Sequence, residues 1–286
     1  MLFALKCGII YRKFYLSRHM MILSFLILSL AAALAALFIF RLAVWKAALI
    51  FVLAFLAVNL LYFAFLALVS LFVDNSKPIE RQNKICAWGV RGVSELGLSY
   101  CGVKCRVKGV EKLPANESFL LVANHRSLFD PLVIVRCLKE YNVSFIGKPS
   151  ALAIPVIGKI GYGAGCLPID RENDRNALKT VITAISYIKN GICSMAIFPE
   201  GTRNRTDSPL LRFHAGSFKI AQRANAPLVI ACLKGTRAIS KNMFRRRTDV
   251  ELVILDVISA EKNAKMTTAQ LAEYSSGLIE RSYCEE

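Results

Sequence analysis

His125 and Asp130 stand five residues apart in Phe119-Leu-Leu-Val-Ala-Asn-His-Arg-Ser-Leu-Phe-Asp-Pro131. An imidazole titrates near neutral pH, so it can take a proton from a hydroxyl. A carboxylate beside it can hold one tautomer and stabilise the imidazolium that forms. A plainer reading stands next to this one. Asp130-Pro131 suits a helix start, with Asp as the N-cap and Pro at the first helical position. Ser127 lies in the same loop, two residues on. That spacing favours a local backbone hydrogen bond over a role as nucleophile.

Positioning such a pair takes a rigid frame, and the flanking sequence reads as one. Phe119–Ala123 is a short bounded apolar run, as a buried strand is, which puts His125 in a loop at a strand end. From there strands and helices alternate. Helices are predicted over 132–139, 176–189, 216–224 and 267–280. Strands are predicted over 103–109, 143–146, 166–169, 194–198, 228–233 and 250–257. Residues 151–165 read as a short helix ending in a glycine loop. This is an α/β pattern, in which catalytic loops gather at one sheet edge. Gly161-Tyr-Gly-Ala-Gly165 is not a nucleotide fingerprint, because it opens no helix after a strand and its third glycine is misplaced.

The 286 residues carry 37 Lys and Arg against 20 Asp and Glu. Residues 1–73 hold six basic and no acidic residues. A basic balance points to an acidic partner. The apolar N-terminus favours anionic lipid and phosphorylated small molecules over nucleic acid, and no aromatic–basic interleaving or recognition motif supports the latter. The nine cysteines form no C-x-x-C pair, so neither a disulfide framework nor a zinc site is expected. No metal cluster is expected.

Residues 20–40 and 47–73 are free of charge, and each is long enough to cross a bilayer. They predict a transmembrane hairpin within residues 1–75. Lys6, Arg12, Lys13 and Arg18 precede the first span, and only Arg41 and Lys46 lie between the two. That bias puts the N-terminus, and with it the following domain, in the cytoplasm. Asn59 is expected to bond across to the first helix. Residues 76–110 form a bridge. Within it 87–98 lies along the membrane surface or, more plainly, covers the sheet edge as an ordinary helix. The domain proper is 111–286.

Four stretches then line up: Asn124-His-Arg-Ser-Leu-Phe-Asp130, Gly165-Cys-Leu-Pro-Ile-Asp-Arg171, Phe198-Pro-Glu-Gly-Thr-Arg203 and Ala226-Pro-Leu-Val-Ile230. Together they resemble the membrane glycerolipid acyltransferase family, nearest to its 1-acyl-sn-glycerol-3-phosphate acyltransferases, over roughly residues 100–257. The resemblance implies a mixed sheet flanked by helices. It implies acyl transfer from acyl-CoA or acyl-carrier protein to the hydroxyl of lysophosphatidate or a related lysolipid, with no cofactor, in the cytoplasmic membrane. His125 would be the base and Asp130 its partner. The positions matching Arg171, Glu200 and Arg203 are tied to acceptor binding, where Glu200 would orient an arginine or bind the glycerol hydroxyl; Thr202 belongs to the same block, and Lys148 lies where a phosphate-binding lysine often stands. Gly201 permits a tight loop and is the candidate region for backbone N–H donors to a tetrahedral intermediate. His214 departs from the family's usual lysine, and Ile230 from its usual proline.

Overall fold

The computed structural model describes residues 20–284 and divides after Leu71 into two compact units. Lys6, Arg12, Lys13 and Arg18, on which the orientation argument draws, and Cys7 lie outside the described residues.

The first unit is a pair of helices, α1 (Met20–Phe38) and α2 (Val44–Leu71). Both have a mean hydropathy of 2.6 and length enough to cross a membrane. Most of their leucines are exposed, while Leu66 is buried and Phe25 meets Tyr62 edge to face at 6.0 Å between the helices. Asn59 Nδ2 donates to Phe55 O at 2.8 Å, one turn back on its own helix.

The second unit begins with α3 (Lys84–Tyr100) and β1 (Val103–Lys108), followed by β2 (Leu120–Ala123) and α4 (Asp130–Cys137). Next come β3 (Val143–Gly147), α5 (Pro149–Leu152), α6 (Ile157–Gly163) and β4 (Leu167–Pro168), then α7 (Asp174–Lys189) and β5 (Ser194–Ile197). The chain closes with α8 (Lys219–Ala224), β6 (Leu228–Lys234), α9 (Ile239–Asn242), β7 (Thr248–Ile258), α10 (Ala260–Lys265) and α11 (Thr268–Cys284). The helix α3 buries Cys86, Leu96 and Leu98 as part of this unit.

The seven strands lie in the order β1-β7-β6-β2-β5-β3-β4. All neighbours are parallel except β6 and β7, so the sheet is mixed, as expected. The central strands β2 and β5 are buried along their whole length. Helices cover both faces of a parallel sheet, and continuous apolar runs follow from that. From β2 the chain crosses to one side to form β3, and from β5 it crosses to the other to form β6. The carboxyl ends of β2 and β5 therefore lie at a topological switch point, where open α/β sheets bind ligands.

Asn124 continues the sheet past the end of β2. Its Nδ2 donates to Leu233 O at 2.9 Å and its Oδ1 accepts from Leu233 N at 2.7 Å. The side-chain amide stands in for one more ladder step between β2 and β6. Asn124→Ala strands both backbone groups of the buried Leu233, so we expect a loss of about 2–4 kcal/mol, measurable by denaturant unfolding of the purified chain.

Candidate active site

His125 leaves β2 at the switch point. Its Nδ1 lies 2.8 Å from Asp130 Oδ2, and Asp130 is fully buried. The same Oδ2 accepts the backbone N–H of Arg126 and of Ser127, each at 2.7 Å. Asp130 is thus not the N-cap of α4. Phe129 holds that place, and Asp130 is the first helical residue. Three donors converge on one oxygen and turn the carboxylate back into the loop. Ser127 Oγ accepts from Phe129 N at 3.2 Å, the local role its spacing predicts. The His125 ring stacks on Phe198 from the end of β5, with centroids 4.1 Å apart and planes 11° off parallel. Carboxylate and phenyl ring fix the imidazole on two sides, and Nε2 is left for whatever enters the cavity.

That cavity has a volume of about 810 Å³. Phe145, Ile154, Ile169 and Leu211 line its apolar part, and Lys148, Arg171, Arg203 and Arg205 line its basic part. A space of this kind takes a ligand with an apolar body and an anionic head. Lys148 is exposed at the start of α5. The Arg171 guanidinium reaches over Gly201, whose φ is +75°. A Cβ at Gly201 would collide with Arg171 Nη1 and press on His214, so only glycine lets the guanidinium lie there. Burial lowers the Arg171 pKa below the usual guanidinium value. A guanidinium remains charged at neutral pH regardless.

The Phe198–Arg203 turn decides which N–H groups are free. Gly201 N donates to Phe198 O at 3.0 Å, so it has no hydrogen free for an oxyanion. Thr202 and Arg203 line the cavity, and their backbone N–H groups make no hydrogen bond among the described residues. Glu200 lies behind the cavity instead of in it. Its Oε1 accepts His125 N at 2.7 Å and its Oε2 accepts Leu211 N at 3.1 Å. It staples the two loops of the site together. His214 packs beside Gly201, and its backbone N donates to Pro199 O at 2.9 Å.

Burial pushes the Glu200 carboxyl up to about 7, against the two backbone donors and Arg126, which pull it down. Between pH 4.5 and about 7 the folded chain keeps a proton there that the unfolded chain has lost. Stability from this group is full below that window and falls as pH rises through it. Glu200→Gln should flatten this part of the stability–pH curve, although it weakens one backbone contact at every pH. Thermal unfolding of both chains between pH 4.5 and 8 checks it, and parallel curves would sink the assignment.

Sequence reasoning missed Arg126 and Asn204. Arg126 is buried and donates to the carbonyls of Ser208 and Pro209 through Nη1 and of Thr206 through Nη2. Asn204 N donates to His125 O at 2.7 Å, and its side chain bonds Ser208 O and Thr206. Both tie the 204–211 loop to the histidine. An arginine between two motif residues reads as a surface cation, and only long-range contacts reveal otherwise. The described cysteines are free, and no three His, Cys, Asp or Glu residues gather as a metal site among the described residues.

A mixed α/β sheet with a histidine–carboxylate pair at its switch point and cations around an apolar cavity defines a class that comparison with known proteins makes specific. The acyltransferase family profile matches residues 104–234. A 1-acyl-sn-glycerol-3-phosphate acyltransferase of Salmonella typhimurium is 30% identical over 169 residues, covering 58% of this chain and 67% of the relative. A chloroplastic enzyme of the same name, BAT2 of Brassica napus, is 33% identical over 137 residues, covering 48% of this chain and 39% of the relative. The crystal structure of the 1-acyl-sn-glycerophosphate (LPA) acyltransferase PlsC from Thermotoga maritima has the same fold, with a TM-score of 0.61 at 22% identity over 79% of this chain and 88% of that one. The chain is an O-acyltransferase. It belongs to the glycerolipid acyltransferase family that includes these 1-acyl-sn-glycerol-3-phosphate acyltransferases.

Proposed function

We propose that this enzyme moves a fatty acyl group from acyl-CoA or acyl-carrier protein to the free hydroxyl of 1-acyl-sn-glycerol 3-phosphate, giving phosphatidate. The observation that carries the reading is the His125–Asp130 contact of 2.8 Å beside a cavity rimmed by cations. An alcohol attacks a thioester poorly until its proton is removed. His125 Nε2 takes that proton, and Asp130 holds Nδ1–H and stabilises the imidazolium. The new C–O bond puts negative charge on the former carbonyl oxygen, for which the free N–H groups of Thr202 and Arg203, in the cavity wall, are the donors. The C–S bond then breaks, and the imidazolium returns its proton to the thiolate. No acyl-enzyme forms, because the substrate hydroxyl takes the place of an enzyme serine.

Arg171, Arg203 and Lys148 hold the acceptor phosphate, with Arg171 and Arg203 able to grip two oxygens at once. The apolar wall takes an acyl chain. The hairpin anchors the chain in the cytoplasmic membrane with the catalytic unit on the cytoplasmic side, so the acceptor arrives from the leaflet and the donor from water.

The test is acyl transfer in detergent with labelled oleoyl-CoA, and in parallel with acyl-carrier protein, over a panel of lysolipids. Activity confined to lysophosphatidate supports the reading. Preference for a lysolipid with a larger head group would keep the chemistry and replace the acceptor.

A further inference from the structure

The connection between β6 and β7 takes no part in the site, yet it leaves the sheet from the same edge. The strand β6 is parallel to β2, so its carboxyl end lies where His125 follows β2, and β7 returns antiparallel from there. Arg237 in this connection donates to the carbonyls of Thr206 and Arg205 and pairs with Asp207, on the loop that lines the cavity. Further along stands Lys241-Asn-Met-Phe-Arg-Arg-Arg-Thr-Asp249, with four cations against one carboxylate.

Phe244 is 80% exposed there and has a φ of +63°. A bulky residue in left-handed backbone is an outlier. The turn that holds it is built. Buried Asn242 accepts Arg246 Nε on Oδ1 at 2.8 Å and donates to Thr248 Oγ1 at 3.0 Å, and its carbonyl accepts the N–H of Arg245 and of Arg246. Arg247 lies 3.7 Å from Asp249. Arg245 makes no ion pair among the described residues. The turn thus holds an aromatic ring out into solvent beside an unpaired guanidinium, on the edge that carries the catalytic cavity. Leu128, 66% exposed at the mouth of that cavity, is a second apolar point on the same edge.

We propose that this connection is a membrane-contact loop, seating Phe244 in the head-group layer of an anionic leaflet with Arg245 and its neighbours on the lipid phosphates. Apolar rings with flanking cations bind such interfaces, through buried apolar area and attraction to anionic lipid together. An acidic protein would satisfy the arginines and leave the bare ring unexplained, which is why lipid is the better occupant. The proposal rests on the reading that the hairpin spans a bilayer, since that is what keeps the catalytic unit within reach of a lipid surface. Its consequence is a second hold on the membrane, one that turns the cavity mouth toward the leaflet.

The test uses the full chain in vesicles. Trp45 and Trp88 are its two tryptophans, so Phe244→Trp in a Trp45→Phe, Trp88→Phe background reports from one place. Reconstitution is into phosphatidylcholine with or without phosphatidylglycerol, with a fraction of the lipid brominated near the glycerol. We expect blue-shifted, quenched emission in the anionic vesicles and little of either in the zwitterionic ones. Arg245→Gln should move the loop's in–out equilibrium about fivefold toward water, the worth of one cation at an anionic surface. Emission that stays unshifted and unquenched in a chain that resists alkaline extraction overturns the loop proposal and leaves the anchor intact. The same emission in an extractable chain removes both. A shift seen only on adding acyl-carrier protein overturns the lipid assignment in favour of a protein.

Discussion

His125→Ala should lower kcat by about 10²–10⁴-fold, the worth of a positioned general base, while leaving the fold in place. The imidazole is part of the cavity wall, and its ring contributes only a stack on Phe198 and one contact to Asp130. The backbone of residue 125 does more for the structure, through its N–H to Glu200 and its carbonyl to Asn204, and alanine keeps both. Asp130→Asn tests the other half of the pair. Asparagine Oδ1 can still accept the N–H groups of Arg126 and Ser127. With its oxygen in the place of Oδ2 it also accepts His125 Nδ1–H, so the tautomer is kept, and its NH₂ takes the buried place of Oδ1. What is lost is the negative charge that stabilises the imidazolium. A large fall in kcat is expected, with thermal stability nearer to wild type than in Asp130→Ala. Stopped-assay kcat values for the three variants, alongside their melting curves, check this. An Asp130→Asn enzyme within tenfold of wild type would mean that the carboxylate serves the loop and not the base.

The sequence made the strand–loop–helix around His125 legible because local signals agree there: a bounded apolar run, a polar loop and a proline-opened helix. The same agreement exposed the α/β class and both apolar helices. The cap of α4 was misread because capping is a local rule, and the Asp130 carboxylate answers to an imidazole and two N–H groups in the loop that precedes it. The place of Glu200 is hidden for a related reason. In sequence it sits between Pro199 and Gly201 with no sign of its partners, but folding buries it and gives both oxygens to backbone donors from different loops. Gly201 was placed correctly as a tight turn, yet the turn consumes its own N–H. What sequence hides in this site is the set of contacts that hold one loop to another, and Arg126, Asn204 and Glu200 all belong to that set.

Arg171→Ala should raise the KM for a phosphorylated acceptor by about 30-fold or more, because a hydrogen bond to a charged group contributes about 1.5–3 kcal/mol and a guanidinium can make two. The effect should fall on KM and leave kcat nearly unchanged, since the phosphate carries its charge in both ground and transition states and its binding is uniform along the reaction. The KM for the thioester donor should not move. Arg171→Lys should recover part of the loss, because it returns the charge without the planar fork. Gly201→Ala supplies an independent route to the same result. Its Cβ needs the space that Arg171 Nη1 now occupies, and its φ of +75° disfavours any side chain. The guanidinium must swing out, so the alanine variant should reproduce the acceptor KM defect with Arg171 still in the chain, and combining the two substitutions should add little. Additive defects would mean that Gly201 matters for the Thr202–Arg203 turn and not for Arg171. An unchanged acceptor KM in Arg171→Ala would remove that arginine from the phosphate site and leave Arg203 and Lys148 to carry it.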